Sequence, residues 1–314
     1  MIFNRRRPSP HLAPELDDSD LGKACRQFDV RNNPRGRPLT EPIVKRLLHD
    51  AGRDWDRRAH RLAVLGATIS PGSQYALIEQ SPGTPDVHNL LAWGAMVRGA
   101  HSALSYSEVT DALQACNEAA RLDPSDPSPW VARLGLLRQW RHPREEVFAV
   151  WKEISARDRW HREAHLQMYG YLSPDECGSH AQALEFVDRV RTSTPTTAPI
   201  VGLPLFSLVD RYLRTMAHGG VNALMADHFW SGQEADTVLR NAAALWPQTG
   251  RLVHAEALRD LNLLAFSLVA ARRAPLAAPV FHSLEGVVTE FPWNHAGQDP
   301  VTAFDNAQRK AGPV

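Results

Sequence analysis

The sequence predicts an all-α protein, and three observations carry that expectation. Apolar residues recur at spacings of three and four through most of the chain, and no stretch sustains the period-two alternation of a half-buried strand. Ala-rich stripes also stop repeatedly at a proline, and three of them share one phase. These are Ala112, Cys116, Ala119 and Pro124; Ala183, Val187, Val190 and Pro195; and Ala235, Leu239, Ala242 and Pro247. A shared phase implies one helix hairpin used several times, each copy walling in the apolar face of the next.

Taken in order, residues 1–15 are rich in Arg and Pro and are expected to be a disordered arm. Residues 16–104 read as an N-terminal helical region. Within it Arg31 to Pro38 is a loop, and Thr40, Glu41 and Pro42 open a helix carrying Ile43, Leu47 and Leu48. Asp54-Trp55 opens another, residues 79–87 break the pattern, and Leu90, Leu91, Ala95 and Val97 resume it. Residues 105–314 read as the repeat region. Ser105 and Glu108 have capping-box spacing before a stripe of Val109, Ala112, Leu113, Cys116, Ala119 and Ala120. Pro127 and Trp130 begin the next helix, and Pro143 precedes one with Val147, Val150, Trp151 and Ile154. Phe291-Pro292-Trp293 is expected to close a later helix of the same kind.

Composition narrows the function. The 314 residues are 43% hydrophobic and 22% charged, near the globular average. Lys+Arg and Asp+Glu each number 35, so no net field draws nucleic acid or an anionic membrane, and neither is an expected partner. Residues 1–61 hold 14 basic against 9 acidic side chains, yet no recognition motif accompanies that excess. Cys25, Cys116 and Cys177 are odd in number and far apart, which suits reduced thiols in a cytoplasmic protein. Arg5-Arg6-Arg7 lacks a following apolar run, so export is not expected, and no apolar stretch is long enough to span a bilayer.

The segment from Ala112 to Pro124, with Trp130 six residues on, resembles the tetratricopeptide signature, a helix pair of about 34 residues ending in proline. Pro124 and Pro195 are 71 residues apart, close to two such units, whereas the next intervals are 52 and 45. Arg133-Leu134 stands where the family has Leu-Gly. Asp54 to Leu62, Pro129-Trp130 with Pro143 to Glu146, and Gly178 to Leu184 are similar to tetratricopeptide-like proteins of actinobacteria. The resemblance implies a right-handed superhelix of degenerate tetratricopeptide-like hairpins with an N-terminal helical extension. It also implies a concave groove that binds a protein or peptide, with Arg138, Gln139 and Arg162 as candidates to line it.

One cluster has metal-ligand chemistry. His161 and His165 lie four apart on a predicted helix, and Cys177 and His180 follow across a loop, the ligand types of a zinc site in an unfamiliar order. Glu163 is wrongly placed for the metalloprotease motif. His218, Asp227 and His228 form a second polar group, but no nucleophile has a recognisable setting and no glycines are grouped as phosphate loops require. The leading expectation is therefore a non-enzymatic binding scaffold with no cofactor. The alternative is a metal-binding or enzymatic accessory factor with a pocket near residues 173–180.

Overall fold

The computed structural model of the chain describes residues 8–28, 40–217 and 226–312. Sixteen α-helices dominate them, and the strand content is one parallel ladder of two residues per strand. The chain forms two compact units, residues 18–194 with 198–200, and residues 1–17 with 195–197 and 201–314. The division falls near residue 200, inside the stretch 105–314 that sequence periodicity treats as one region, and not at 104. The loop expected at Arg31 to Pro38, the Arg5-Arg6-Arg7 run and His218 lie outside the described residues.

The first unit holds α1 (Ser19–Phe28), α2 (Thr40–Ala51), α3 (Trp55–Thr68), α4 (Pro71–Gln80), α5 (Pro85–Gly99), α6 (Tyr106–Leu122), α7 (Ser128–Gln139), α8 (Arg144–Arg157), α9 (Arg162–Tyr171) and α10 (His180–Ser193). Local chemistry sets several starts. Asp54 accepts the Arg57 N–H at 3.1 Å, and Ser105 and Glu108 complete the expected capping box. Ser179 accepts the Gln182 N–H at 3.2 Å, and prolines occupy the first turns of α4 and α5. Each such cap is worth about 1 kcal/mol.

Packing follows a ladder. Helix α3 packs on α5, α5 on α7 and α7 on α9, while α4, α6, α8 and α10 lie against members of that row. The pattern of burial explains the division of labour. Helices α6, α8 and α10 bury one stripe each, such as Val147, Val150 and Ile154, as amphipathic surface helices do. In α5 every residue from Val87 to Met96 is buried, and α7 and α9 are nearly as enclosed. Helix α3 also reaches α7 and α9, which closes the row on itself.

Enclosed helices must approach closely, and glycine permits it. A Cβ on Gly66 of α3 would stand 2.8 Å from the backbone N of Gly94 on α5. On Gly135 of α7 it would meet Met96 of α5, and on Gly170 of α9 the Arg138 guanidinium of α7. Buried ions pin the same helices. Asp126, in the α6–α7 connection, accepts from Arg58 Nε at 3.1 Å, Asn89 Nδ2 at 3.0 Å and the Ser128 N–H at 2.7 Å. Arg58 also pairs with Asp86 and donates to the Leu48 carbonyl at 3.2 Å. Arg61 forks onto both oxygens of Asp18 at 2.7 and 3.2 Å.

The second unit is built differently. It contains α11 (Leu203–Ala217), α12 (Gln233–Leu245), α13 (Ala257–Ala270), α14 (Ala274–Leu284), α15 (Glu290–Trp293) and α16 (Pro300–Ala311). Among the described residues, all the other helices of this unit pack on α13, whose residues Asp260 to Leu268 are buried. The arrangement is a hub, so the repetition expected through residue 314 does not describe this unit's packing. Phe291-Pro292-Trp293 also does not end α14. That helix stops at Leu284, where Glu285 and Gly286 turn through positive φ, and Val287-Val288 pairs with His11-Leu12. A Cβ on Gly286 would lie 2.8 Å from the Ser9 carbonyl, so only glycine admits residues 8–13 there. The N-terminal arm is thus docked from residue 8 onward.

Urea unfolding tests these constraints. Gly66→Ala gains about 0.5–1 kcal/mol of helix propensity but forces backbone against backbone, which costs about 1–3 kcal/mol, so a net loss of stability is expected. Gly72→Ala on α4, with nothing within 4 Å of its Cβ, should be neutral or stabilising. Asp126→Ala leaves the Asn89 amide and the Ser128 N–H without their acceptor and Arg58 with Asp86 as its one carboxylate, and should cost about 1–3 kcal/mol. A stable Gly66→Ala or a harmless Asp126→Ala would contradict the packing described.

Candidate functional site

Two indentations lie side by side on the first unit. The smaller has a volume of about 90 Å³ and is bounded by α8, α9 and α10. Phe148, Trp151, Met168, Leu172 and Phe186 make its floor, and Arg144, Gln182, Glu185 and Arg189 its rim. The spacing of 144, 148 and 151 puts three lining residues on one face of α8. Trp151 meets Phe186 edge-on with ring centroids 5.9 Å apart, and the Arg144 guanidinium sits 4.7 Å above the Phe148 ring. Glu185 pairs with Arg189 at 3.0 Å, whereas Arg144 has no carboxylate partner among the described residues.

The larger indentation, about 280 Å³, lies where α5 and α7 end and is lined by Gly99, Ala103, Leu104, Gln139, Trp140 and Arg141. Beside it the Tyr106 ring, 77% exposed, tilts against Trp140 with centroids 6.2 Å apart. Arg141 lines one indentation and Arg144 the other. Three residues of chain separate their Cα atoms by at most ~11 Å, so the two hollows are neighbours.

The predicted site residues fare differently. Gln139 does line the larger hollow, while its Nε2 donates to the Met96 carbonyl at 2.8 Å. Arg138 is a strap: Nε and Nη2 grip Glu176 at 2.6–2.9 Å and Nη1 donates to Gln167 at 2.8 Å. Its target is the loop between α9 and α10, which Arg141 also holds through the Asp175 carbonyl at 3.1 Å. Arg162 corrects the expectation of a groove-facing cation. It is 3% exposed and donates to the Pro199 carbonyl at 2.9 Å, so its charge faces inward.

The four candidate metal ligands do not converge. His161 caps α9, accepting the Ala164 N–H through Nδ1 at 3.4 Å, and is buried. His165 is buried as well, its Nδ1–H donating to the His161 carbonyl at 2.9 Å. Cys177 and His180 are exposed, and among the described residues no three His, Cys, Asp or Glu side chains are placed to hold one metal ion. The spacing read as a ligand pair is an N-cap followed by a core residue. His165 supports the smaller hollow instead, stacking edge-on to Trp151 at 4.9 Å and lying 5.9 Å from Phe186. Cys116 is likewise core, its thiol pushed up to about 12 by burial. The side chain of Asp227 is outside the described residues, and His228 lies in the short turn Ala226–Ser231.

The signal for these hollows was present but misassigned. Trp151 reads as core from its phase, and Phe148, one turn from Arg144, falls between the expected stripe positions. Trp230 and Trp293, near helix ends and therefore candidates for exposure, are buried. Trp293 donates to Asn262 at 2.8 Å.

Burial holds the His165 imidazole down to about 4, against the opposing effect of its hydrogen bond to His161. Above the ordinary value of 6.5 both folded and unfolded chains carry it neutral. As pH falls from there towards 4, only the unfolded chain takes the proton, and roughly 3 kcal/mol of stability should be lost. His165→Gln should flatten that part of the stability profile, and an unchanged slope would remove His165 as its source. Neither a family model, a curated protein nor a solved structure matches the chain.

Proposed function

We propose that the protein is a non-enzymatic scaffold that docks a protein or peptide segment, and that residues 18–200 are a degenerate tetratricopeptide-like superhelix. The ladder of α3, α5, α7 and α9, with a small residue at each crossing, supports the repeat reading. The docking face differs from the one the resemblance implies. A groove lined by first helices needs side chains facing solvent, and α5, α7 and α9 are enclosed on nearly every side.

The observation that carries the proposal is the pair of hollows around Trp140 and Phe148. A small-molecule site encloses roughly 300–1,000 Å³; the larger hollow, about 280 Å³, lies at the edge of that range, and the smaller, about 90 Å³, is far below it. The smaller is the size of a socket for one side chain. Exposed Trp, Tyr and Arg beside such sockets are the residue types that dominate protein interfaces. The hollow also borders the 173–180 loop, the position expected for a pocket, but its lining offers one carboxylate already paired to Arg189. This favours docking over catalysis. None of Cys25, Cys116 and Cys177 is in a disulfide, which is compatible with a cytoplasmic setting.

Selection of displayed random dodecapeptides on the full chain tests the reading. A related family of peptides should be enriched, and Phe148→Glu and Trp140→Ala should each reduce its retention tenfold or more while circular dichroism and Tm stay as in the wild type. Failure to enrich, or retention indifferent to both substitutions, would defeat the proposal.

A further inference from the structure

We infer that the segment docked at this edge is acidic and carries two apolar side chains a few residues apart, one for each hollow; this rests on the docking reading above. The first ground is the charge of the lining. The two hollows present Arg141, Arg144 and Arg189 against a single acid, Glu185, and Arg189 already neutralises it. Arg141 spends one N–H on a backbone carbonyl and, like Arg144, has no carboxylate partner among the described residues. Of the neighbouring acids on α8, Glu146 is bonded to His142 at 3.0 Å, and neither it nor Glu145 lines a hollow. Two guanidinium groups therefore stand unneutralised on the bridge between two apolar sockets. They match carboxylates placed between two apolar side chains.

The second ground is preorganisation. Arg144 is held over the Phe148 ring, so part of the entropy of ordering it for a carboxylate is already spent. The floor beneath is neutral: His165 carries no charge at neutral pH and offers its ring edge to Trp151. A basic side chain would find in the smaller hollow only the neutral amide of Gln182 and the Glu185 carboxylate already paired to Arg189, and no negative floor. The third ground is spacing. With the Cα atoms of Arg141 and Arg144 at most ~11 Å apart, the hollows are near enough for one short extended segment, at ~3.3 Å per residue, to reach both.

Fluorescence anisotropy on the full chain tests this with labelled dodecapeptides. One is composed of Asp and Glu with two Phe residues separated by two or three acids; a second has both Phe replaced by Ala; a third has Lys in place of every acid. The first should bind, and the other two at least tenfold more weakly. Affinity for the first should fall with added salt. The double substitution Arg141→Glu with Arg144→Glu touches exposed side chains. It should weaken the acidic probe tenfold or more and strengthen the lysine probe. If the lysine probe binds the wild type as well as the acidic one, or charge reversal changes neither, the inference is overturned while enrichment sensitive to Phe148→Glu would leave the docking reading standing. If the acidic probe fails to bind and the random selection also enriches nothing, both fall together.

Discussion

A helix that is apolar on every side has to be walled in on every side, and that requirement organises the first unit. Helices α5 and α7 offer water almost no face, so each needs neighbours in front, behind and along both flanks. The amphipathic α6, α8 and α10 supply one set of walls with their single buried stripes, and the short α4 adds Leu77 and Gln74. The rest come from the enclosed helices themselves, which press together at Gly66–Gly94 and at Gly135 and Gly170. Hydrophobic contact is non-directional, so it cannot by itself fix the order of so similar a set of helices. Asp126 and Arg58 can, because their hydrogen bonds are satisfied in one arrangement of α3, α5 and the α7 entrance. Such buried pairs add little net stability but make misplacement expensive.

That closure decides which surfaces of the unit stay accessible. Because α3 reaches across to α7 and α9, the inner row is spent on its own packing. What remains accessible is the outer set of helices and the ends of the pairs. There α8 and α10 both rest on α9 and expose an aromatic floor that neither covers. The α9–α10 loop beside it is held by Arg138 and Arg141 and by a close approach at Gly178, where a Cβ would lie 2.1 Å from the Leu172 carbonyl. The hollow is therefore walled by fixed elements.

Much of the fold was legible because amphipathic helices advertise themselves. The stripes through Val109 to Ala119, Val147 to Ile154, Ala183 to Val190 and Ala235 to Ala242 are the buried faces of α6, α8, α10 and α12. Enclosed helices have no polar face to set a period, and α4, with only Gln74 and Leu77 buried, has too short a stripe. The change from ladder to hub near residue 200 left no trace, since α12 continues the phase of α10 while packing against a central helix. The docked strand at His11-Leu12 was invisible for a simpler reason: its partner lies some 275 residues away, and two residues cannot show alternation. At the candidate site, residue type was read correctly and surroundings were not. His161 and His165 have ligand spacing, but i and i+4 also describes an N-cap and a core position one turn into the same helix.

The arginines make the same point about surroundings and lead to the chemistry of the site. Arg58, Arg61, Arg138 and Arg162 are structural because carboxylates or carbonyls stand within reach of their forks. Arg144 differs from them in being exposed and in what lies nearby, a phenyl ring in place of an acceptor. A guanidinium is weakly hydrated and stacks readily on aromatic faces, so this position costs little while leaving the five N–H groups unsatisfied by carboxylate. A structural arginine ends its search for acceptors inside the fold. One held over an aromatic floor and exposed at the mouth of a small hollow keeps its N–H groups on water, and so stays open to a carboxylate brought by another molecule.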